Sequence, residues 1–205
     1  MFNYERSYKM NLTSLKFTNR DLLLIIDVQN DFVSGVLGTK RAQALIPDIA
    51  QFIRDFPGKK IFTMDTHQEN YLSTQEGRNL PIIHTVEGTH GWELIDEIKA
   101  LVTDEDIVFR KKAFGSMDLA CKLIHHGSDY DNIYVIGFDT IYCVLSNVVI
   151  VKAAAPEVPI HVIASLCACA SRETHKTALS VMKTLQVDII DDDVLDNLPA
   201  NEGEA

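Results

Sequence analysis

Apolar residues in this chain fall into two alternating patterns. Short strand-like runs rich in apolar residues, at Leu22 to Ile26, Lys60 to Met64, Ile107 to Phe109, Ile133 to Ile136, Ile160 to Ala164 and Val187 to Ile190, have the length of buried strands. Between them the period becomes helical. Ala42, Leu45, Ile46, Ile49, Phe52, Ile53 and Phe56 share one helical face, which Pro57-Gly58 closes. Helices are also predicted near Met117 to His125, from Ile141 to Ala155 before Pro156, and from Arg172 to Leu185, with an amphipathic stretch at Trp92 to Val102. Thr66 to Gly91 keeps no period and reads as a long irregular segment, a kind of loop that is usually functional. Strand and helix alternating six times predict an α/β domain with a doubly wound, mostly parallel six-stranded sheet covered on both faces. It spans 21–190, between an N-terminal extension (1–20) and a solvated acidic tail (191–205).

Composition narrows the classes of function. The 205 residues are 46% hydrophobic, enough for one sizeable core, and the net charge of -10 works against nucleic acid and anionic membrane surfaces as partners. No apolar stretch reaches the roughly 20 residues that span a bilayer; the richest, Val144 to Ala155, is broken by Ser146, Asn147 and Lys152. Residues 1–20 are charged throughout and unlike a secretory signal. Four cysteines, at 121, 143, 167 and 169, make no disulfide framework, so a reducing cytoplasm is expected. The glycine motifs of dinucleotide and P-loop sites are absent, as is a nucleophile-elbow serine.

The candidate chemistry sits at strand ends. Asp27, Lys111 and Cys143 each lie at or just beyond an apolar run, and the carboxyl ends of parallel strands share one crevice. A carboxylate and a lysine alone would also suit a phospho-acceptor domain, but that leaves Cys143 idle. A cysteine beside apolar residues is often structural; with Asp27 and Lys111 converging on it, nucleophile is the favoured reading. A place in the first turn of a helix predicts a thiol with a lowered pKa. The long loop offers Asp65, His67, Glu76 and His84, ligand types suited to zinc, manganese or iron, though polar loops often hold such residues in solvent. Cys167-Ala168-Cys169 and His125-His126 take structural readings, the first as small buried residues on the pocket's far side.

Three segments carry a family resemblance. Leu24-Ile25-Ile26-Asp27-Val28-Gln29-Asn30-Asp31-Phe32, then Lys111 three before Phe114-Gly115-Ser116, then Gly137 to Cys143 followed by Val144, resemble the isochorismatase-like cysteine hydrolases. Within them, the nicotinamidase branch is the most similar. Over about 21–190 the resemblance implies a three-layer α/β/α fold and an Asp27-Lys111-Cys143 triad, with Lys112 facing away. It further implies an oxyanion hole from the backbone N–H groups of Asp139 and Cys143, a cis bond at Phe138-Asp139, and a divalent metal on Asp65, His67, His84 and Glu76 without an organic cofactor. The implied reaction is hydrolysis of a small carboxamide, nicotinamide first, through a thioester, by a homo-oligomer. Ile83-His84-Thr85 replaces a common His-Cys pair, and Tyr71 to Asn79 is longer than in many relatives. The alternatives are vinyl-ether hydrolysis, carbamoyl or ureido amide hydrolysis, and a catalytically silent binding module.

Overall fold

A computed structural model describes residues 15–191. Five consecutive aliphatic side chains make β1 (Leu22–Ile26), wholly buried and therefore central. Hydrogen bonding continues outward through β2 (Lys59–Asp65) to β3 (Ile107–Lys111), and on the other side through β4 (Ile133–Gly137) and β5 (Ile160–Cys167) to β6 (Asp188–Ile190). The order is β3-β2-β1-β4-β5-β6, and every pairing is parallel.

Helices follow in chain order: α1 (Asn30–Val33), α2 (Lys40–Asp55), α3 (Gln75–Asn79), α4 (Asp96–Lys99), α5 (Met117–His126), α6 (Leu145–Ala154) and α7 (Arg172–Thr184). Thr39 caps α2 by accepting from the Ala42 N–H, and Ser116 and Ser171 do the same for α5 and α7. The apolar face of α2 meets one side of the sheet through Leu45, Ile49 and Ile53, while Leu119, Val148 and Met182 from α5, α6 and α7 cover the other. The three-layer α/β/α architecture is thus present.

Several boundaries differ from expectation for local reasons. In the stretch Trp92 to Val102 only Asp96–Lys99 is helical, because Glu93 O and the Ile95 N–H bond the chain after β1 and Leu94 bridges to Gln29. The irregular segment holds a 3-10 turn, Tyr71–Ser73, and α3, which Thr74 caps. The predicted helix from Ile141 opens as a wide π turn, Thr140–Val144, before α6 begins. Phe17 packs edge-on against Phe52 and Tyr134, and Asp191 is buried and accepts from Ser165 Oγ, so packed structure extends past both ends of 21–190. The rest of the predicted extension and tail, 1–14 and 192–205, lies outside the described residues. Among the described residues, no helix is long and apolar enough to cross a membrane.

Candidate active site

The chain order reverses between β1 and β4, and a ligand crevice forms where such a reversal faces the carboxyl ends of the strands. Asp27 follows β1 directly, in the left-handed region at φ 49°, which aspartate tolerates better than most residues. Asp65 ends β2 and Lys111 ends β3. At the end of β4, Gly137 at φ 122° lies so close to β1 that a Cβ there would run into the Ile26 carbonyl oxygen. The bond Phe138-Asp139 is cis, and the π turn after it carries Cys143.

These ends place Asp27, Lys111 and Cys143 in contact. Lys111 Nζ lies 2.7 Å from Asp27 Oδ2, 3.0 Å from Asp65 Oδ1 and 3.3 Å from Cys143 Sγ. None of the three exceeds 3% exposure, so the group is almost free of solvent. Lys112 is exposed. Thr63 Oγ1 donates to Asp27 Oδ1 at 2.7 Å, fixing the carboxylate.

Burial and charge set the protonation states. Burial works against the ammonium of Lys111, but Asp27, Cys143 and Asp65 outweigh it and hold its pKa well above the ordinary value. Burial raises the Asp27 pKa, with Lys111 opposing. For Cys143 the expectation of a lowered pKa is corrected: burial pushes the thiol well up, Lys111 opposes, and Asp27 and Asp65 add to the rise. A helix start acts on the thiol only through the local backbone, whereas the thiol is enclosed and faces two carboxylates. These neighbours favour the thiol over the thiolate at Cys143, whose Sγ accepts from Lys111 Nζ at 3.3 Å.

Beside this group the long loop closes a second cluster. One ligand atom each from Asp65, His67 and His84, all buried, lies within 4.8 Å of the others. His67 Nε2 is 3.0 Å from Asp65 Oδ2, and Glu76 Oε1 comes within 3.5 Å of His67 Nε2 and 3.9 Å of His84 Nε2. Burial opposes an imidazolium at His67, but Asp65 and Glu76 prevail and its pKa is pushed up to about 9. Asp65 is held well below the usual carboxylate range: burial would raise it, and His67, Lys111 and Thr85 overcome that. The residues fit a divalent cation. His67 Nε2 is buried with no well-aligned hydrogen bond, while His84 Nδ1 sits 2.7 Å from Ile82 O, which turns Nε2 into the cluster, 3.6 Å from Asp65 Oδ2.

Sequence reasoning missed the residues that support these groups. Tyr71 is wholly buried, with its ring 4.5 Å from that of His67 and 5.0 Å from that of His84. Thr85 Oγ1 donates to Asp65 Oδ2, and Gln29 bonds the Asp65 backbone through both ends of its amide. Asn147 bonds Cys143 O. Only Asn147 left a local signal, as a polar residue within an apolar run. Cys169 and the half-buried Asp139 line a small cavity with Phe32 and Phe138, and Cys167 ends β5; both cysteines are buried, in keeping with their structural reading. His126 meets Asp129 at the surface.

This fold and site define a class of protein. The profile of the Isochorismatase domain family matches residues 21–193, and the chain belongs to that family. No curated protein matches the sequence. Among solved structures, the pyrazinamidase of Pyrococcus horikoshii in complex with zinc is similar at 25% identity and a TM-score of 0.71, over 83% of this chain and 98% of that one. The pyrazinamidase/nicotinamidase of Streptococcus mutans has 27% identity and a TM-score of 0.71, over 83% of this chain and 99% of that one. PnC1 from L. infantum, in complex with nicotinate, shares the fold at 22% identity and a TM-score of 0.72, over 85% of this chain and 94% of that one. The chain is thus a hydrolase of the isochorismatase type, with pyrazinamidase and nicotinamidase structures among its neighbours.

Proposed function

We propose that this hydrolase is a cysteine amidase that cleaves a small primary carboxamide, nicotinamide to nicotinate and ammonia. The observation that carries the reading is the dry contact of Lys111 Nζ with both Asp27 Oδ2 and Cys143 Sγ. Asp27 and the thiol both lie beside the ammonium, and Lys111 stabilises whichever of them carries the negative charge.

Asp27 takes the proton from Cys143, and Sγ forms a bond to the carboxamide carbon as the carbonyl π pair moves to oxygen. The backbone N–H groups of Asp139 and Cys143 receive that oxyanion, each such donor supplying about 3 to 4 kcal/mol in other enzymes. Asp27 returns the proton to the nitrogen as the C–N bond breaks, releasing ammonia and leaving a thioester. It then takes a proton from water, whose oxygen bonds the same carbon, and Sγ leaves to regain the proton. Asp65, His67, His84 and Glu76 would hold a divalent transition metal, which when bound offers a Lewis-acid site for an aromatic ring nitrogen and so orients the amide. Thr85 and Tyr71 keep those ligands in place.

Ammonia release from nicotinamide by the purified protein tests the reading. Turnover should be lost in Cys143→Ala. A protein that leaves nicotinamide intact yet releases ammonia from a carbamoyl or ureido compound, with the same dependence on Cys143, would replace the substrate and keep the nucleophile.

A further inference from the structure

Lys111 and Cys143 touch, yet the sheet does not hold them together. Lys111 ends β3 and Cys143 follows β4, and two strands, β2 and β1, lie between. Strand spacing of about 4.8 Å puts the ends of β3 and β4 roughly 14 Å apart. Neither chain hydrogen-bonds the other through the sheet, so a contact of 3.3 Å across that gap needs another tie.

Asn147, on α6 one turn beyond Cys143, supplies it. The residue is wholly buried and its amide is fully used. Nδ2 donates to Cys143 O at 2.7 Å and to Phe114 O at 3.0 Å, and Oδ1 accepts from the Ser116 N–H at 3.0 Å. Two carbonyl acceptors on one side and an N–H donor on the other fix the orientation of the amide. Phe114 and Ser116 belong to the short segment running from Lys111 into α5, so one side chain joins the chain leaving Lys111 to the turn bearing the thiol. Gly115 lies against α6, where a Cβ would meet the end of the Ile150 side chain.

We propose that Asn147 is a positioning residue that clamps the segment after Lys111 onto the Cys143 turn and thereby sets the ammonium-to-sulfur contact. A hydroxyl or apolar side chain of similar size could not make three such bonds. The inference needs the triad of the proposed reaction but not its substrate, and its main readout is independent of turnover.

The test compares Asn147→Ala with Asn147→Thr. A threonine can still bond the carbonyl four residues back, Cys143 O, but cannot also bridge to Phe114 and Ser116. Iodoacetamide labelling of Cys143 is followed against pH, with the exposed Cys121 as internal reference. Sγ is enclosed and faces Lys111, Asp27 and Asp65, so moving it changes both its burial and its charged neighbours. Both variants should therefore shift the pH midpoint of labelling, with kcat on the wild-type substrate about 10- to 100-fold lower and KM within about threefold. An unchanged midpoint and kcat in folded Asn147→Ala would overturn the clamp. So would full restoration by threonine, which would reduce Asn147 to a helix-end bond. Should Asn147→Ala fail to fold, Asn147→Thr carries the test alone: a shifted midpoint supports the clamp and an unchanged one refutes it. Wild-type protein that labels selectively at Cys143 but leaves nicotinamide intact would count against the substrate alone.

Discussion

An ammonium almost free of solvent is stable at Lys111 only because two carboxylates and a thiol surround it. Removing one partner of a buried ion pair costs about 3 to 5 kcal/mol, since the other charge stays behind. Lys111→Ala should therefore both destabilise the protein and lower kcat by orders of magnitude, while the exposed Lys112→Ala should change either by little; denaturant titration and steady-state kinetics on the two variants check this. A larger loss at Lys112 would contradict the triad. Thr63→Val keeps the shape of β2 and strips Asp27 Oδ1 of its 2.7 Å donor. A buried acceptor left unpaired costs about 1 to 3 kcal/mol, and the loss should appear in stability and kcat together.

Elements matter here chiefly for how they end. Gly137 ends β4 at a φ that L side chains rarely adopt, against the β1 backbone. Gly137→Ala should therefore cost at least about 1 to 3 kcal/mol, measured as a lower denaturation midpoint, and should disturb the turn carrying Cys143 as well. The 3-10 turn that holds Tyr71 has the same importance for the cation cluster, because the ring packs on both imidazoles. Tyr71→Leu should weaken zinc binding, followed by calorimetry on chelator-treated protein, by about 10- to 100-fold, the range typical of residues supporting metal ligands. Equal affinity in the two proteins would show that the histidines hold themselves.

For the whole molecule, a buried histidine away from the triad predicts acid sensitivity. His175 on α7 is 4% exposed, with Nδ1 2.8 Å from Thr140 Oγ1, which itself bonds Ala168 O, so Nδ1–H is the donor. Burial, assisted by Arg41, lowers its pKa from 6.5 to about 4. Between those values the unfolded chain binds a proton that the folded one does not, so stability must fall as pH drops through this window. The loss is on the order of 3 kcal/mol. Urea titrations at pH 7 and pH 4.5 should show it, and a variant with His175→Gln should show a smaller difference; an equal difference would assign the acid sensitivity to other groups.

The sequence by itself determined that the chain alternates strand and helix, and that an aspartate, a lysine and a cysteine stand where three strands end. Buried strands announce themselves as unbroken aliphatic runs, and their ends are read from the same runs; Leu22 to Ile26 matches β1 residue for residue. The loop ligands were visible as residue types, while their convergence needed the fold, since His84 reaches Asp65 only after the chain turns back through Tyr71 and α3. The supporting contacts were not legible. Thr63 meets Asp27 and Gln29 meets Asp65 across 36 residues each, and no local pattern encodes such a pairing. Charge state was hidden for a related reason: position at a helix start argued for a lowered Cys143 pKa, whereas enclosure and two carboxylates, which exist only once β1, β2 and β4 lie side by side, raise it. Tertiary structure decided the strand order, the depth of burial and the neighbours of each ionisable group, because all three depend on which distant segments share the same few ångströms.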